Sequence, residues 1–291
     1  MPTQPDWPDR VTASVIVPIR DAALTLPEQL AALAAQDTDV EWELLLVDNG
    51  SRDESPSIIR EYADRWPRVR HLVCERPGAN AARNTGAEMA RGAHLLYCDA
   101  DDVVHPSWVG AMTASLELHD AVGGRLDNET FPPGHMPRHP DRLPVTGRFL
   151  QRAVTANFGV RRSVWSHVGG FNEEYEYGST DTEFCWRVQL AGYELAYAPE
   201  AVVAYRHRAT LASAARKSYR TGQAHVRLYR DFRDSGMPRS SWPRTIGRWG
   251  LLALRLPRAL ASEPYRWTWV REAAQTWGRV VGSVRLGLRY L

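Results

Sequence analysis

Four short apolar segments, spaced by amphipathic stretches, constrain this chain more than any other feature. Residues 15–17, 43–47, Val69–Val73 and His94–Cys98 read as strands. Residues 24–35, 54–66 and 80–91 between them carry helical spacing. Apolar strands that alternate with helices make an α/β fold, a mostly parallel sheet covered on both faces. In such sheets ligands sit outside the carboxyl ends of the strands. Three polar clusters fall at those ends here: Pro18-Ile19-Arg20-Asp21, Asp48-Asn49-Gly50-Ser51 and Asp99-Ala100-Asp101-Asp102.

The third cluster follows the apolar run Leu95-Leu96-Tyr97 and places three carboxylates within four residues. Like charges this close raise one another's pKa or recruit a cation. Closely spaced carboxylate oxygens suit Mg²⁺ or Mn²⁺, and such an ion with open positions also holds phosphate oxygens. The competing reading is an acidic turn that caps a helix starting near Pro106. Convergence with the other two clusters favours a ligand site.

The 291 residues suffice for one large α/β core or two modest ones. A formal net charge of +2 hides a division. Residues 1–209 hold 20 Lys/Arg against 30 Asp/Glu, and residues 210–291 hold 16 against 4. The first part therefore carries −10 and the second +12, an acidic body with a basic tail that suits an anionic surface. Cys74, Cys98 and Cys185 form no metal-binding spacing, which points to buried thiols in a reducing compartment. Residues 1–10 are polar and proline-rich, unlike a signal peptide, and no apolar run approaches the roughly 18 residues of a membrane span.

Beyond the first half, residues 131–144 read as a long loop rich in Pro, His and Arg. A strand at 157–160, a short helix at 163–168 and a helix at 181–191 follow. Two short strands at 195–197 and 201–205 precede a basic helical region from Thr210 onward. There are no repeats.

Six motifs in this order resemble family two of the glycosyltransferases, over about residues 13–209. They are Val17-Pro18-Ile19-Arg20, Val47-Asp48-Asn49-Gly50-Ser51, Ala82-Arg83-Asn84, Asp99-Ala100-Asp101-Asp102, Gly169-Gly170-Phe171 and Asp181-Thr182-Glu183. The resemblance implies the GT-A fold and inverting hexosyl transfer from a nucleotide diphosphate sugar, UDP-linked by expectation, with a divalent metal.

It also implies roles. Asp48 reads the donor base, although Asp-Asn-Gly-Ser equally closes a strand with an Asx turn. Pro18 and Arg20 belong to the first nucleotide-facing loop. Arg83 binds diphosphate or orients the aspartates, or else is a surface cation; Asn84 is a structural hydrogen-bonder. Asp99 lies near ribose and metal, Asp101 ligates the metal, and Asp102 holds the loop or contributes through water. His207 is an additional metal ligand or a solvated ring between two arginines. Asp181 is the base that takes the acceptor proton, with N-capping as the structural alternative. Thr180 stands where many relatives carry an acid, and Glu183 is the alternative base or an acceptor contact. Trp165, Phe171, Tyr175, Tyr177 and Trp186 read as core rather than sugar-stacking rings. Acceptor choice falls to residues 123–180.

The tail, residues 210–291, combines 15 Arg with Trp242, Trp249, Trp267, Trp269 and Trp277. Helices of this type lie in the headgroup plane, so the expectation is a cytoplasmic protein, peripheral at the inner membrane face, acting on a glycan or lipid-linked acceptor. Packing on the body and an oligomer interface are the alternatives, and no nucleic-acid motif is present. Two other functions remain open from the residues: a nucleotidyltransferase of similar sheet architecture, and a non-catalytic module recruited to membranes.

Overall fold

The computed structural model describes residues 11–131, 134–175, 178–207, 210–240 and 242–290. The polar segment 1–10, Tyr177, Arg208 and the Trp242 side chain lie outside the described residues. The first half runs β1 (Ala13–Ile19), α1 (Leu26–Ala34), β2 (Trp42–Asp48), α2 (Ser55–Arg65), β3 (Val69–Val73), α3 (Ala79–Met89) and β4 (His94–Cys98). It continues with β5 (Val103–Val104), α4 (Trp108–Leu118), β6 (Ala121–Asp127), β7 (Val145–Thr146), β8 (Leu150–Gln151) and β9 (Asn157–Arg161). Then come α5 (Arg162–His167), α6 (Thr180–Leu190), β10 (Leu195–Ala204), α7 (Leu211–Phe232), α8 (Trp242–Ala261) and α9 (Glu263–Arg285).

Eight strands form one sheet in the order β3-β2-β1-β4-β9-β6-β10-β5. The β3-β2-β1-β4 half is parallel throughout. β9 runs antiparallel to both β4 and β6, and β10 lies parallel to β6. Two reversals restore direction, so the ends of β1, β2, β4, β6 and β10 share one edge with the start of β9. Cys98 pairs there with Asn157, and Ile19 with Asp48.

Period-two alternation divides the strand residues between two cores. Val15, Val17, Leu44, Leu46 and Leu96 meet Leu30 and Leu33 of α1, Ile59 of α2, and Trp108 and Met112 of α4. Ile16, Leu45, Val47, Leu95 and Tyr97 face Ala81, Ala82 and Ala87 of α3 and Phe184 of α6. The small face of α3 lets it lie close on β1: a Cβ on Gly86 would fall 2.5 Å from Ile16 Cγ2. All three cysteines are free and buried.

Several elements differ from the sequence reading, the short unanticipated strands β7 and β8 among them. β6 was not anticipated, because Gly123 and Gly124 interrupt its apolar run. They are needed there, since a Cβ on Gly124 would sit 2.3 Å from the Ala201 carbonyl and from Asn157 Oδ1. β9 is antiparallel, a direction that alternation does not encode. The two strands expected at 195–205 are one, β10, with a register shift between Ala198 and Val202 at Pro199-Glu200. Finally, β5 separates the acidic cluster from α4, whose N-cap is Ser107, so those carboxylates do not cap that helix.

In the tail, α7 carries Val226, Leu228 and Phe232 onto Trp186 of α6. α9 presses against α7 backbone to backbone. A Cβ on Gly278 would lie 2.1 Å from the Tyr219 carbonyl, and one on Gly222 2.1 Å from that of Gln275. α8 is tied to α9 by Trp269 Nε1 donating to the Leu252 carbonyl (2.7 Å) and by Arg255 against Glu272 (3.1 Å). Ile246, Trp249, Leu254 and Leu260 of α8 stay exposed. No helix among the described residues is long and apolar enough to cross a membrane.

Candidate active site

The polar clusters expected at the strand ends meet along the shared sheet edge. After β1, Asp21 accepts from the Arg52 N–H (2.7 Å), and the N–H groups of Asp21, Ala22 and Ala23 donate to Ser51, Ser55 and Asp53. These bonds lock the loop carrying Arg20 to the loop after β2. Pro18 is half-buried near the end of β1, and Arg20 is exposed. Asp48 is buried and accepts the N–H of Ser51, three residues on, at 3.1 Å, which closes the turn after β2 without the two-residue bond of an Asx turn. Asn49 binds the carbonyls of Cys74 and Arg76 and receives the Gly78 N–H, holding the chain that enters α3.

α3 places Arg83 beneath the acidic cluster. Its guanidinium donates to Asp99 Oδ1 at 2.9 Å and to Asn80 Oδ1 at 3.3 Å. The Arg83 side chain is only 6% exposed against 31% for Asp99, so the pair points from the core toward the edge. Asn84 makes a two-way bond with the Phe171 backbone, 87 residues away, which holds Gly169-Gly170-Phe171. Gly169 and Gly170 adopt φ of 77° and 69°, a region other residues enter at a cost.

Carboxylate oxygens of Asp99, Asp101 and Asp102 lie within 4.8 Å of one another. Asp102 is 1% exposed; its Oδ1 accepts the Arg206 N–H (2.7 Å), tying the cluster to the chain after β10. Its Oδ2 is buried without a hydrogen-bond partner. Burial first, then the charges of Asp99 and Asp101, pushes the Asp102 carboxyl up to about 9. Hard oxygen donors, an orphaned buried oxygen and mutual repulsion fit a divalent ion such as Mn²⁺ or Mg²⁺.

His207 stands outside that carboxylate cluster. Its ring stacks on His139 at 5.3 Å and meets Tyr205 edge-on at 5.2 Å. Its Nε2 is buried without a partner, and burial lowers its pKa.

α6 presents Asp181 in its first turn after Ser179, which is held at φ 58°. Asp181 Oδ2 pairs with Arg152 at 3.1 Å, and Oδ1 accepts the Thr182 N–H. Its side chain keeps 20% exposure. Glu183 is turned inward: it grips Arg187 through both oxygens (2.7 and 2.9 Å), and Arg187 also binds the carbonyls of Val168 and Gly170. Phe171, Tyr175 and Trp186 are buried core rings.

A cavity of about 340 Å³ reaches neighbours of both centres, although none of Asp99, Asp101, Asp102 and Asp181 lines it. Arg152, the partner of Asp181, lines one part, and Tyr205 and His207 line another. Arg206, between Tyr205 and His207 in the chain, holds Asp102 and also donates to the Asp101 carbonyl at 3.0 Å. Arg152 and the loop residue His139 carry no sequence motif, and no local signal marks them.

Residues 14–170 match the family model described as "Glycosyl transferase family 2". Glycosyltransferase AglE of Haloferax volcanii is 30% identical over 226 residues, covering 74% of this chain and 73% of that protein. The chain spans less than a third of the length of several other curated relatives. The mannosyltransferase PcManGT of Pyrobaculum calidifontis, solved with GDP-Man and Mn²⁺, superposes with a TM-score of 0.67 at 21% identity, covering 94% of this chain and 87% of that one. TarS residues 1–349 of S. aureus, solved with UDP, gives 0.56 at 17% identity, covering 96% and 93%. At these identities the likeness establishes the GT-A fold.

Proposed function

The chain belongs to glycosyl transferase family 2, a glycosyltransferase that uses nucleotide sugars, and from that premise we propose metal-dependent, inverting sugar transfer from a UDP-type donor to an acceptor hydroxyl. What supports this reading is the carboxylate cluster at the sheet edge together with a cavity lined by Tyr205, His207 and the Asp181 partner Arg152. The Asp99-Asp101-Asp102 cluster is backed by Arg83, and Asp181 approaches from α6.

In this reading Asp48 accepts from the donor base, and the loop of Pro18 and Arg20 borders the nucleoside. Asp99 and Asp101 hold the ion, Asp102 braces the cluster through Arg206, and His207 stands by as a further ligand. A bound Mn²⁺ or Mg²⁺ supplies neutralisation of the departing diphosphate. Arg83 keeps Asp99 oriented and adds positive charge at the same edge. Asp181 takes the proton from the acceptor O–H, which attacks the anomeric carbon opposite the leaving group. Arg152 orients that carboxylate and must yield as the proton arrives. Glu183, doubly bound to Arg187, shapes the Val168–Gly170 turn beside the site.

Residues 1–209 form the transferase unit in this reading. Residues 210–291 form an extension that rests on an anionic membrane surface through the exposed apolar side chains and arginines of α8, beside a glycan or lipid-linked acceptor. The test is a panel of nucleotide sugars with and without Mn²⁺, read as thermal stabilisation and as release of the nucleoside diphosphate. One donor should stabilise the chain only with metal, and NMR of the product should show the inverted anomer. Metal-independent stabilisation, or a retained anomer, would refute the reading.

A further inference from the structure

The cavity beside the two carboxylate centres has a wall of one sign. Arg142, Arg152, Lys217 and Arg271 line it with His139 and His207, and none of its lining residues among the described ones is Asp or Glu. Arg138 also reaches it but is neutralised by Glu129 at 2.5 Å. Arg142 and Lys217 are exposed and Arg152 is shared with Asp181, so the least compensated cation of the wall is Arg271; a buried cation is ordinarily paired. Arg271 Nε is buried with no hydrogen-bond partner, and burial pulls that guanidinium below its usual pKa. Lys217 donates to a neutral group, the Tyr205 hydroxyl, at 3.1 Å. Glu272, next to Arg271 in the chain, is engaged by Arg255.

Leu126, Met136, Leu143 and Val154 add apolar patches to the wall, beside the polar Ser218, Thr221 and Gln275. At Gln275 of α9 the cavity abuts a second cleft, between α8 and α9, which Leu251 and Arg255 line. Leu251 belongs to the helix whose apolar side chains stay exposed. A charged end near Arg152 thus leads by way of Gln275 to a largely polar cleft whose one large apolar side chain among the described residues, Leu251, lies on that helix.

We propose that this cavity binds a phosphate ester group of the acceptor, gripped by Arg271, Lys217 and Arg152, with an apolar carrier leaving toward the α8–α9 cleft. This deepens the glycosyl-transfer reading and rests on it for the word acceptor. A phosphate monoester brings about −1.5 to −2 charge and three acceptor oxygens, which matches three separate cations better than a carboxylate does. The donor diphosphate is a different ligand: it needs the ion at Asp99 and Asp101, whereas this cavity offers cations of its own. The bound anion also competes with Asp181 for Arg152, which leaves the base freer to take a proton.

The test is isothermal titration calorimetry on the full chain in EDTA without nucleotide. The probes are decyl phosphate below its micelle concentration, decyl glucoside as a neutral control, and inorganic phosphate. Decyl phosphate binds and decyl glucoside does not. The Lys217→Gln/Arg271→Gln double variant weakens decyl phosphate about tenfold or more, the scale of losing charge-assisted hydrogen bonds, while Arg271→Lys keeps most of the affinity. Asp101→Ala leaves it unchanged. Thermal unfolding of every variant separates lost binding from lost folding. Inorganic phosphate binding as tightly as decyl phosphate would overturn the apolar carrier in favour of a soluble phosphate. Binding lost in Asp101→Ala but kept in the double variant would overturn the site. No binding of either phosphate would overturn the proposal outright and still leave donor-dependent transfer, assayed separately with the panel of nucleotide sugars.

Discussion

Before residue 210 several buried or half-buried charges pair with one another; after it most charged side chains are exposed. In the body, buried Arg83 pairs with Asp99, half-buried Arg70 pairs with buried Glu43 across β2 and β3, and half-buried Arg187 pairs with buried Glu183 within α6. In the tail, α7 and α9 pack tightly through Gly222 and Gly278, but α8 leaves Leu254 and Leu260 exposed at 78% and 71%. The body uses charge to position groups at a sheet edge. The tail sets charge beside unburied apolar surface, a combination suited to an interface rather than to a catalytic cleft.

The sharpest break of that contrast is Asp181→Asn. Turnover should fall about 10²- to 10⁴-fold, the range for losing a general base, with donor affinity nearly unchanged. Near-normal turnover in rapid-mixing assays would remove Asp181 from the chemistry. Next is Asp101→Ala, which should weaken nucleotide affinity by about tenfold or more in Mn²⁺ and change little in EDTA, measured by calorimetry. An equal loss in both conditions would mean that the carboxylate acts without metal.

On the tail side, Leu254→Asp with Leu260→Asp should reduce partition onto anionic vesicles about tenfold while transfer to a water-soluble acceptor continues, because each leucine forfeits apolar burial. Unchanged co-sedimentation would show that α8 meets no bilayer.

The smallest effect is acid sensitivity where α7 meets α9. His225 Nδ1 accepts from Arg279 at 3.0 Å, and burial, then the Arg279 charge, pulls its pKa down to about 3. The unfolded chain titrates near the ordinary value of about 6.5, so it binds more protons between those limits. His225 therefore leaves stability intact above about pH 6.5 and erodes it as pH falls toward about 3. Melting curves at neutral and mildly acidic pH should diverge, and His225→Gln should narrow the gap. An undiminished gap would assign the acid response to other groups.

Much of this architecture was legible locally. β3 and β4 match the expected spans residue for residue, and β1, β2, α1, α2 and α3 fall within a few residues of theirs. Each is marked by its own periodicity and punctuation. The carboxylate cluster was legible too, because its members are chain neighbours. Harder to see was anything that depends on a distant partner. Arg152 meets Asp181 across 29 residues, Asn84 meets Phe171 across 87, and Arg206 reaches Asp102 across 104. No spacing rule connects such positions. Glu183 is the instructive intermediate case. Its partner Arg187 lies one helical turn away and could have been paired from sequence, which would have marked it as an internal brace.

By itself the sequence determined the alternation of strand and helix, the polar strand ends, and the division of charge at residue 210, because hydrophobic period and net charge are local sums. Only the tertiary structure decided that β9 runs backward, since period two is the same in either direction. Only it decided that β6 tolerates two glycines, that Arg152 restrains Asp181, and that cations from four separate stretches of chain share one cavity wall. Those outcomes are contacts between distant residues, and packing chooses among them.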